Sequence, residues 1–275
     1  MPTQELRPVV KWAGGKTQLL AEITSRLPEK YNNYYEPFIG GGALLFNLQP
    51  KNAHINDVNE QLVNLYRQLQ SNAASVIEEV NKFDSMPCNK EFYFATRDVY
   101  NKKIESHELD AECAGLFIWI NKHCFNGLYR VNAKGLFNVP FNGKESGLSI
   151  IEDNLIGIGE YLSSVEITCG DFEDACKKAK KNDFVYFDSP YVPESVTASF
   201  TSYTKDGFNK EDHERLAALF SKLSNKGVYV MLSNNDVPLV HDLYKGFNII
   251  RVDANRAINS KGNARKGKEV IITNY

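Results

Sequence analysis

The sequence predicts an α/β fold whose sheet is interrupted by a helical insertion, and three observations lead to this expectation. Short apolar runs alternate with helical spacing before residue 60 and again after residue 150. A glycine-rich turn, Gly40 to Gly42, joins a predicted strand to a predicted helix. Between residues 61 and about 120 the apolar spacing is helical throughout. We therefore expect residues 1–60 and 150–275 to form one domain, with residues 61–149 inserted into it.

The composition is that of a globular chain with a substantial core, since 43% of its 275 residues are hydrophobic. The five cysteines form no C-x-x-C pair, which favours a reducing, intracellular setting over a disulfide framework or a zinc site. No leader pattern and no apolar run of about 20 residues occurs, so we expect a chain that is neither exported nor membrane-embedded. The net charge of −2 does not indicate a polyanionic partner, although residues 245–268 are locally basic.

The first element is a bent glycine loop before a helix. Gly14, Gly15 and Lys16 invite a phosphate-loop interpretation, but that motif needs a glycine where this chain has Val10. The remaining interpretation is a loop that brings Trp12 and Lys16 to a ligand. The alternatives, Trp12 as core and Lys16 as surface, stay open on local evidence.

The second element is the strand Asn33–Glu36 followed by the Gly40–Gly42 turn, through which backbone approaches nucleotide-like cofactors. Because position 45 is leucine, the full dinucleotide spacing G-x-G-x-x-G is missing. The next predicted strand, Ala53–Asp57, ends in an acid about 20 residues beyond the turn, where such folds bind ribose hydroxyls. This combination favours an adenosine-containing cofactor, with a helix cap as the alternative role of Asp57.

Four helical patterns fill the insertion, and it ends in residues 121–140, where Asn-Gly and Lys-Gly turn signals separate short apolar runs. We expect a β-hairpin or an extended loop there. The segment is basic and rich in amides with aromatic residues between them, so it could read base edges and insert rings between bases. A hairpin that only covers the helical layer is the alternative.

The α/β pattern then returns with a helix at 150–162 and a strand at 165–168. Asp171 and Phe172 follow that strand and are placed to meet an adenine ring, although Asp171 could equally cap a helix. A buried strand at 184–187, a helix at 211–223, a strand at 228–232, a helix at 237–244 and strands at 247–252 and 269–273 complete the sheet. The Ser/Thr/Tyr-rich loop 193–208 is expected to close over a site.

Asp188, Ser189, Pro190 and Tyr191 follow the buried strand directly, at the sheet edge where α/β folds bind ligands. A carboxylate and a carbonyl can accept the two N–H bonds of an exocyclic amine, and the tyrosine ring can stack on the base. Pro190 restricts the backbone between them. An ordinary turn after a strand is the alternative.

Taken in order, these segments resemble the Dam-type family of DNA adenine N6-methyltransferases. The matching motifs are Lys-Trp-Ala-Gly-Gly-Lys from Lys11, Glu-Pro-Phe-Ile-Gly-Gly-Gly from Glu36, Phe-Asn-Gly-Leu-Tyr-Arg-Val-Asn from Phe125, Phe-Asn-Val-Pro from Phe137, and Asp-Ser-Pro-Tyr from Asp188. The likeness runs from Val10 to the C-terminal strand. Several motifs in the family order are far more specific than any one of them.

The resemblance implies a Rossmann-like methyltransferase sheet with an antiparallel last strand, S-adenosylmethionine as cofactor and GATC in double-stranded DNA as target. The domain formed by residues 1–60 and 150–275 would bind the cofactor, and the insertion of residues 61–149 would recognise the target. The cofactor residues expected are Trp12, Lys16, Phe38, Gly40, Gly42, Asp57, Asp171, Phe172 and Asp188. The DNA-binding residues expected are Lys11, Phe125, Asn126, Leu128, Arg130, Asn132 and Pro140, and the catalytic residues are Asp188, Ser189, Pro190 and Tyr191.

The resemblance further implies direct methyl transfer to a flipped adenine, without a metal, a membrane or an obligate protein partner. It places the protein on the DNA of a bacterial or phage-infected cytoplasm. Ser189 departs from the usual Asp-Pro-Pro-Tyr, which gives up pre-organisation worth about 0.4–1 kcal/mol but keeps the backbone carbonyl. The rival functions are an N4-cytosine or RNA amino-methyltransferase, and a catalytically weak DNA-binding relative.

Overall fold

A computed structural model describes residues 5–145, 147–193, 207–255 and 266–275 of the chain. A seven-stranded sheet lies at its centre, in the order β3-β2-β1-β4-β5-β7-β6. The strands are β1 Tyr34–Glu36, β2 Ala53–Asp57, β3 Glu166–Cys169, β4 Phe184–Phe187, β5 Tyr229–Asn235, β6 Asn248–Asn255 and β7 Lys266–Thr273. Most of the loop predicted to close over the site, residues 194–206, lies outside the described residues.

The first five strands of the sheet are parallel, and β7 pairs antiparallel with both β5 and β6. This arrangement confirms the predicted α/β fold with an antiparallel last strand. The chain leaves β1 towards β2 on one side, whereas β4 continues to β5 on the other, so the strand order reverses between β1 and β4. Open α/β sheets bind ligands at such a switch point, at the carboxyl ends of the strands.

The helices begin where polar side chains can cap them. Asn59, Asn89, Asp110 and Asn209 each accept a hydrogen bond from a backbone N–H in the first turn of the helix that follows. The α-helices are α1 Leu20–Thr24, α2 Ala43–Leu48, α3 Glu60–Asp84, α4 Lys90–Ser106, α5 Ala111–His123, α6 Glu152–Leu162, α7 Phe172–Ala175, α8 Lys210–Asn225 and α9 Pro238–Leu243. Short 3₁₀ turns occupy Lys16–Gln18 and Phe125–Gly127.

Two helical patterns that the sequence keeps apart, around Leu65 and Ile77, belong to the single helix α3. The helix is kinked at Asn72, whose backbone is extended (φ −162°, ψ 83°). The Asn72 side chain accepts a hydrogen bond from the Ser75 N–H at 3.3 Å and donates one to Ser75 Oγ at 2.7 Å. It therefore caps the second half of the helix from within, which explains why the apolar spacing breaks there.

The helical segment packs directly on the sheet. One cluster of buried side chains contains Leu65 of α3, Trp119 of α5 and Phe184 of β4, and a second covers the opposite face of the sheet beneath α8. A Cβ atom on Gly115 would lie 2.7 Å from Glu79 Cβ, so a glycine at this position lets α5 approach α3 closely. The insertion and the sheet thus share one core, while the proposed division into two functional domains stays a prediction.

The predicted hairpin is present as two antiparallel bridges, Cys124 with Phe141 and Val131 with Phe137, rather than as two strands. Asn126 and Gly127 adopt positive φ values of 57° and 65°, which turns one limb out of extended geometry. Pro140 has no N–H to donate from the other limb. The residues from 124 to 142 nevertheless fold back on themselves as the turn signals predict, and we call them the reading hairpin after the role that the sequence predicts for them.

Candidate active site

The three polar segments singled out from the sequence meet at the carboxyl edge of the sheet. Asp188 directly follows β4, the Gly40–Gly42 turn follows β1, and Asp57 is the last residue of β2. Strands β2, β1 and β4 are parallel neighbours, so their ends lie side by side. The site therefore occupies the switch point of the sheet.

Asp188 forms a buried ion pair with Lys16 of the N-terminal glycine loop, with Lys16 Nζ 2.6 Å from Asp188 Oδ1. The lysine side chain is only 6% exposed, so the alternative of Lys16 as a plain surface residue is wrong. Ser233 Oγ, from β5, donates to the same oxygen at 3.2 Å. Burial raises the pKa of Asp188, whereas Lys16 and Ser233 oppose that rise. The hydrogen bonds found within the described chain all reach Oδ1, which leaves Oδ2 for a ligand.

Tyr191 is held in place from two sides. Its hydroxyl donates to Glu269 Oε2 of β7 at 2.8 Å, and Lys16 Nζ lies 4.5 Å from the centroid of its ring. Ser189 is buried, and among the described residues its hydroxyl has no hydrogen-bond partner. The orientation of the Tyr191 ring is therefore set by β7 and the lysine.

Glu36 is a second buried carboxyl group behind Asp188. The Tyr34 hydroxyl donates to Glu36 Oε2 at 2.6 Å. Burial, with a smaller contribution from the nearby Asp188 carboxylate, raises the pKa of Glu36 to about 8. Glu36 is therefore mostly protonated at neutral pH, which leaves Asp188 as the negative partner of Lys16.

The glycine turn and Asp57 form one hydrogen-bonded unit. Asp57 Oδ2 accepts from the Gly40 N–H at 3.1 Å, and Oδ1 accepts from the Asn59 N–H at 3.0 Å. Burial raises the pKa of Asp57 to about 6. Gly40 has φ 47°, and a Cβ atom on it would lie 2.8 Å from Trp12 Cδ1. Trp12 thus packs edge-on against the turn, and it stacks on Tyr129 of the reading hairpin with centroids 5.1 Å apart.

Phe38 and Phe172, both expected at the cofactor site, stack on one another with ring centroids 5.3 Å apart. Asp171 takes the alternative role that the sequence left open, because its carboxylate caps α7 through the Glu173 N–H at 2.9 Å. Both of its oxygens also accept from Arg215 Nη2, at 3.0 and 2.9 Å. A contact from Asp171 to a cofactor stays a prediction.

The expected DNA-binding residues lie on the reading hairpin and beside it. One side chain ties the two parts together: Asn121 accepts from the Lys11 N–H at 2.8 Å and donates to the carbonyls of Lys11 and Gly127 at 3.0 and 3.1 Å. A Cβ atom on Gly127 would lie 2.5 Å from Lys11 Cδ, so the lysine stem passes directly over the turn. The residues of this set that are exposed are Lys11, Phe125, Asn126, Arg130, Asn132 and Pro140, whereas Leu128 is half-buried.

Arg130 and Asn132, two of the expected DNA-binding residues, make different hydrogen bonds within the reading hairpin. Arg130 Nε donates to Asn138 Oδ1 at 2.8 Å, an arrangement that orients the exposed guanidinium. The Asn132 side-chain oxygen accepts from the N–H groups of Lys134 and Leu136, at 2.9 and 3.1 Å. Asn132 therefore shapes the turn of the hairpin, and its contact with DNA stays a prediction.

Sequence reasoning missed Ser233, Glu269, Glu36 and Asn121. Ser233 carried a signal, since it follows an apolar run in a strand whose end lies at the same sheet edge as Asp188. The contact of Glu269 depends on β7 lying antiparallel beside β5, which local spacing does not indicate. The bond between Tyr34 and Glu36 is local, because alternate residues of a strand share a face, whereas the approach of Glu36 to Asp188 and of Asn121 to Lys11 depends on long-range contacts.

Three further observations concern the described residues only. Of the basic stretch 245–268, Arg251 pairs with Asp236 at 2.8 Å, while Arg256, Lys261 and Arg265 lie outside the described part. Within that part, no three His, Cys, Asp or Glu side chains are grouped as metal ligands. None of the helices in it has the length and apolar character needed to cross a membrane.

Comparison with known proteins adds an independent finding. Residues 12–258 match the family described as D12 class N6 adenine-specific DNA methyltransferase. The chain is 47% identical to a type II methyltransferase of Lactococcus lactis subsp. cremoris over 98% of this chain and 96% of the relative. It is 43% identical to a type II methyltransferase of Methanocaldococcus jannaschii over 98% and 100%. It is also 34% identical to a DNA adenine methylase of Vibrio cholerae serotype O1 over 97% and 95%.

Proposed function

We propose a target and a mechanism for this protein on the premise that the chain belongs to the D12 class N6 adenine-specific DNA methyltransferase family. It is an adenine-specific DNA methyltransferase. We infer that it methylates adenine N6 within GATC in double-stranded DNA, using S-adenosylmethionine. The observation that carries the mechanism is the buried Lys16–Asp188–Ser233 cluster beside the glycine turn.

The residues at the switch point fit S-adenosylmethionine, which supplies a methyl group on a positively charged sulfur. The absence of a side chain on Gly40 lets Trp12 lie directly against the turn, so the indole ring and the turn would line the cofactor site together. Asp57 ends the neighbouring strand with a half-buried carboxylate suited to ribose hydroxyls. Phe38, which is half-buried, offers a ring for the adenine of the cofactor, and the buried Phe172 stacks behind it.

Asp188 and the Ser189 carbonyl hold the target amine. Base flipping costs a few kcal/mol and brings the adenine to the Tyr191 ring, which Glu269 and Lys16 keep in position. Asp188 Oδ2 and the Ser189 carbonyl accept the two N6 hydrogens and orient the nitrogen lone pair. Lys16 keeps Asp188 ionised despite its burial, and both Lys16 and Ser233 hold Oδ1 so that Oδ2 is presented. After transfer, Oδ2 takes the proton that N6 releases.

Target recognition is proposed for the reading hairpin. Arg130 is exposed and oriented by Asn138, and its guanidinium matches the O6 and N7 acceptors of guanine. Phe125 is half exposed at the open end of the reading hairpin, where its N–H donates to the Pro140 carbonyl, and its ring could contact the base step next to the flipped adenine. The first base of GATC is a guanine, in agreement with an arginine reader.

Digestion of treated plasmid with nucleases that differ in their sensitivity to GATC methylation tests the target. We expect protection from the nuclease blocked by methylated GATC, and N6-methyladenine as the only modified base in the hydrolysed product. N6-methyladenine at another sequence would show that GATC is not the target, without contradicting the proposed reaction. N4-methylcytosine, or methylation of RNA only, would favour the rival amino-methyltransferases that the family membership disfavours.

The other rival function is that of a weakly catalytic DNA-binding relative, and the feature that suggests it is Ser189 in place of the usual proline. We predict that Ser189→Pro changes the rate of methyl transfer by no more than about tenfold, equivalent to ~1.4 kcal/mol, because the accepting group is the backbone carbonyl. Single-turnover methylation of a GATC duplex measures this change, with Ser189→Ala as the control that removes the unpartnered hydroxyl without adding a ring. A gain of several orders of magnitude in the proline variant would favour the rival.

A further inference from the structure

A cavity of about 380 Å³ lies between the end of α3, the end of α5 and the loop that follows the reading hairpin. Its lining residues are Asp84, Met86, Pro87, Cys88, Trp119, His123, Glu145, Gly147 and Leu148. None of them belongs to the methyltransferase site. The cavity contains a thiol and an imidazole in contact, since Cys88 Sγ lies 3.2 Å from His123 Nδ1.

The hydrogen bonds behind this pair fix which nitrogen of His123 carries the proton. Asp84 Oδ1 can only accept, so the Ser149 hydroxyl donates to it at 2.6 Å. The Ser149 oxygen then accepts from His123 Nε2 at 3.2 Å, which places the imidazole proton on Nε2. Nδ1 is therefore the unprotonated nitrogen, and it faces the Cys88 thiol. The competing acceptor, the Lys144 carbonyl, is farther from Sγ at 3.6 Å.

A thiol that faces the lone pair of an oriented imidazole has the arrangement of an activated nucleophile. Burial lowers the pKa of His123 and raises that of Cys88, so both groups are neutral at rest. The proton therefore moves to Nδ1 as the sulfur attacks, and Asp84, 4.0 Å from Nε2, stabilises the imidazolium that results. Cys88 is half-exposed at the cavity wall, whereas His123 is buried beneath it.

We propose that Cys88 is a thiol–disulfide exchange site for small disulfides of aminothiols. The Cys88 proton passes to His123 Nδ1, and Sγ attacks one sulfur of the disulfide R–S–S–R. The Cys88–S–S–R bond forms as the original S–S bond breaks, and the departing thiolate takes the proton from Nδ1. The carboxylates of Asp84 and Glu145 in the cavity wall, with no lysine or arginine among the lining residues, favour a cationic disulfide.

The test compares Cys88 with Cys169, which is exposed at the end of β3, and with which no histidine is seen to pair among the described residues. The full chain is treated with cystamine, and the rate of mixed-disulfide formation at each cysteine is followed by peptide mass spectrometry. We expect Cys88 to react at least tenfold faster than Cys169 despite its lower exposure. His123→Gln should bring the Cys88 rate down to that of Cys169 and leave the Cys169 rate unchanged.

Ser149→Ala is the second variant, because it keeps His123 but breaks its link to Asp84. It should slow Cys88 at least threefold, with the thermal midpoint and duplex methylation showing that each variant is folded. A dianionic disulfide, 3,3′-dithiodipropionate, should react at Cys88 at least fivefold more slowly than cystamine. Equal rates at Cys88 and Cys169, or a Cys88 rate that neither variant changes, would overturn the site. A faster reaction with the dianion would overturn the class of disulfide.

Discussion

The ion pair between Lys16 and Asp188 joins the N-terminal glycine loop to the end of β4 inside the protein. Removing one member of a buried pair leaves the other charge without compensation, which costs several kcal/mol. We predict that Asp188→Asn abolishes methyl transfer and also lowers the free energy of unfolding by about 3 kcal/mol. Urea unfolding and single-turnover methylation measure the two effects.

The double variant Lys16→Met, Asp188→Asn is the matched control. It removes both charges, so part of the lost stability should return while transfer stays absent. If the losses of unfolding free energy measured for Lys16→Met and Asp188→Asn simply add up in the double variant, the two side chains do not stabilise one another.

At the scale of an element, the turn after β1 requires glycine at two of its three positions, because Gly40 and Gly42 both have positive φ and a Cβ atom on either would clash with a neighbouring ring. Gly40 has φ 47° and lies against Trp12, whereas a Cβ on Gly41 would meet its neighbours at 3.4 Å, an ordinary contact. We predict that Gly40→Ala costs about 1–2 kcal/mol of stability and weakens S-adenosylmethionine binding. Gly41→Ala should do neither. Calorimetry on both variants decides, and equal affinities would remove the turn from the cofactor site.

The reading hairpin carries the prediction for sequence specificity. Arg130→Ala should lose about 1–3 kcal/mol of discrimination between the bases at one position of the target site. For duplexes that already carry another base at that position, kcat/KM should fall less. Lys134→Ala, an exposed cation on the same hairpin, should instead weaken all sequences alike and reduce the salt dependence. We would measure kcat/KM on oligonucleotides with single substitutions across the site, at two salt concentrations. A uniform loss for Arg130→Ala would assign it to the phosphate backbone.

The strands were the most predictable elements. Buried runs bounded by turn residues predicted β2 and β4 with their observed limits, because length and flanking residues identify a short strand locally. The sequence divided α3 in two at Asn72, since apolar spacing cannot separate a kink from a break. It located Asp188 and Lys16 but not their pairing, and it missed Ser233 and Glu269. Those contacts depend on the strand order, which no local pattern contains.

For the whole molecule, the buried Glu36 predicts a dependence of stability on pH. Its pKa in the folded chain is about 8, against about 4.3 for an exposed glutamate. The folded state therefore binds its proton more tightly, and this contribution to stability is full below pH 4 and is lost as the pH rises through 8. We predict that the unfolding free energy falls by about 1 kcal/mol between pH 7 and pH 9 relative to Glu36→Gln.

Urea unfolding of both proteins at the two pH values measures this difference. Glu36→Gln keeps the shape and an acceptor for the Tyr34 hydroxyl but cannot ionise, so other titrating groups cancel in the comparison. Parallel pH profiles for the two proteins would show that Glu36 titrates as an exposed carboxyl does.

The side-chain amide of Asn121 links two distant segments of the enzyme. It accepts from the Lys11 N–H and donates to the carbonyls of Lys11 and Gly127. These bonds fasten the segment that leads to Lys16 to the hairpin that is proposed to read the target. The segment that carries Lys16 and the reading hairpin are then held at a fixed distance from one another, and bases along a duplex are about 3.4 Å apart. If the hairpin reads the target as proposed, we expect this fixed distance to select the methylated adenine by its spacing from the recognised guanine as well as by sequence.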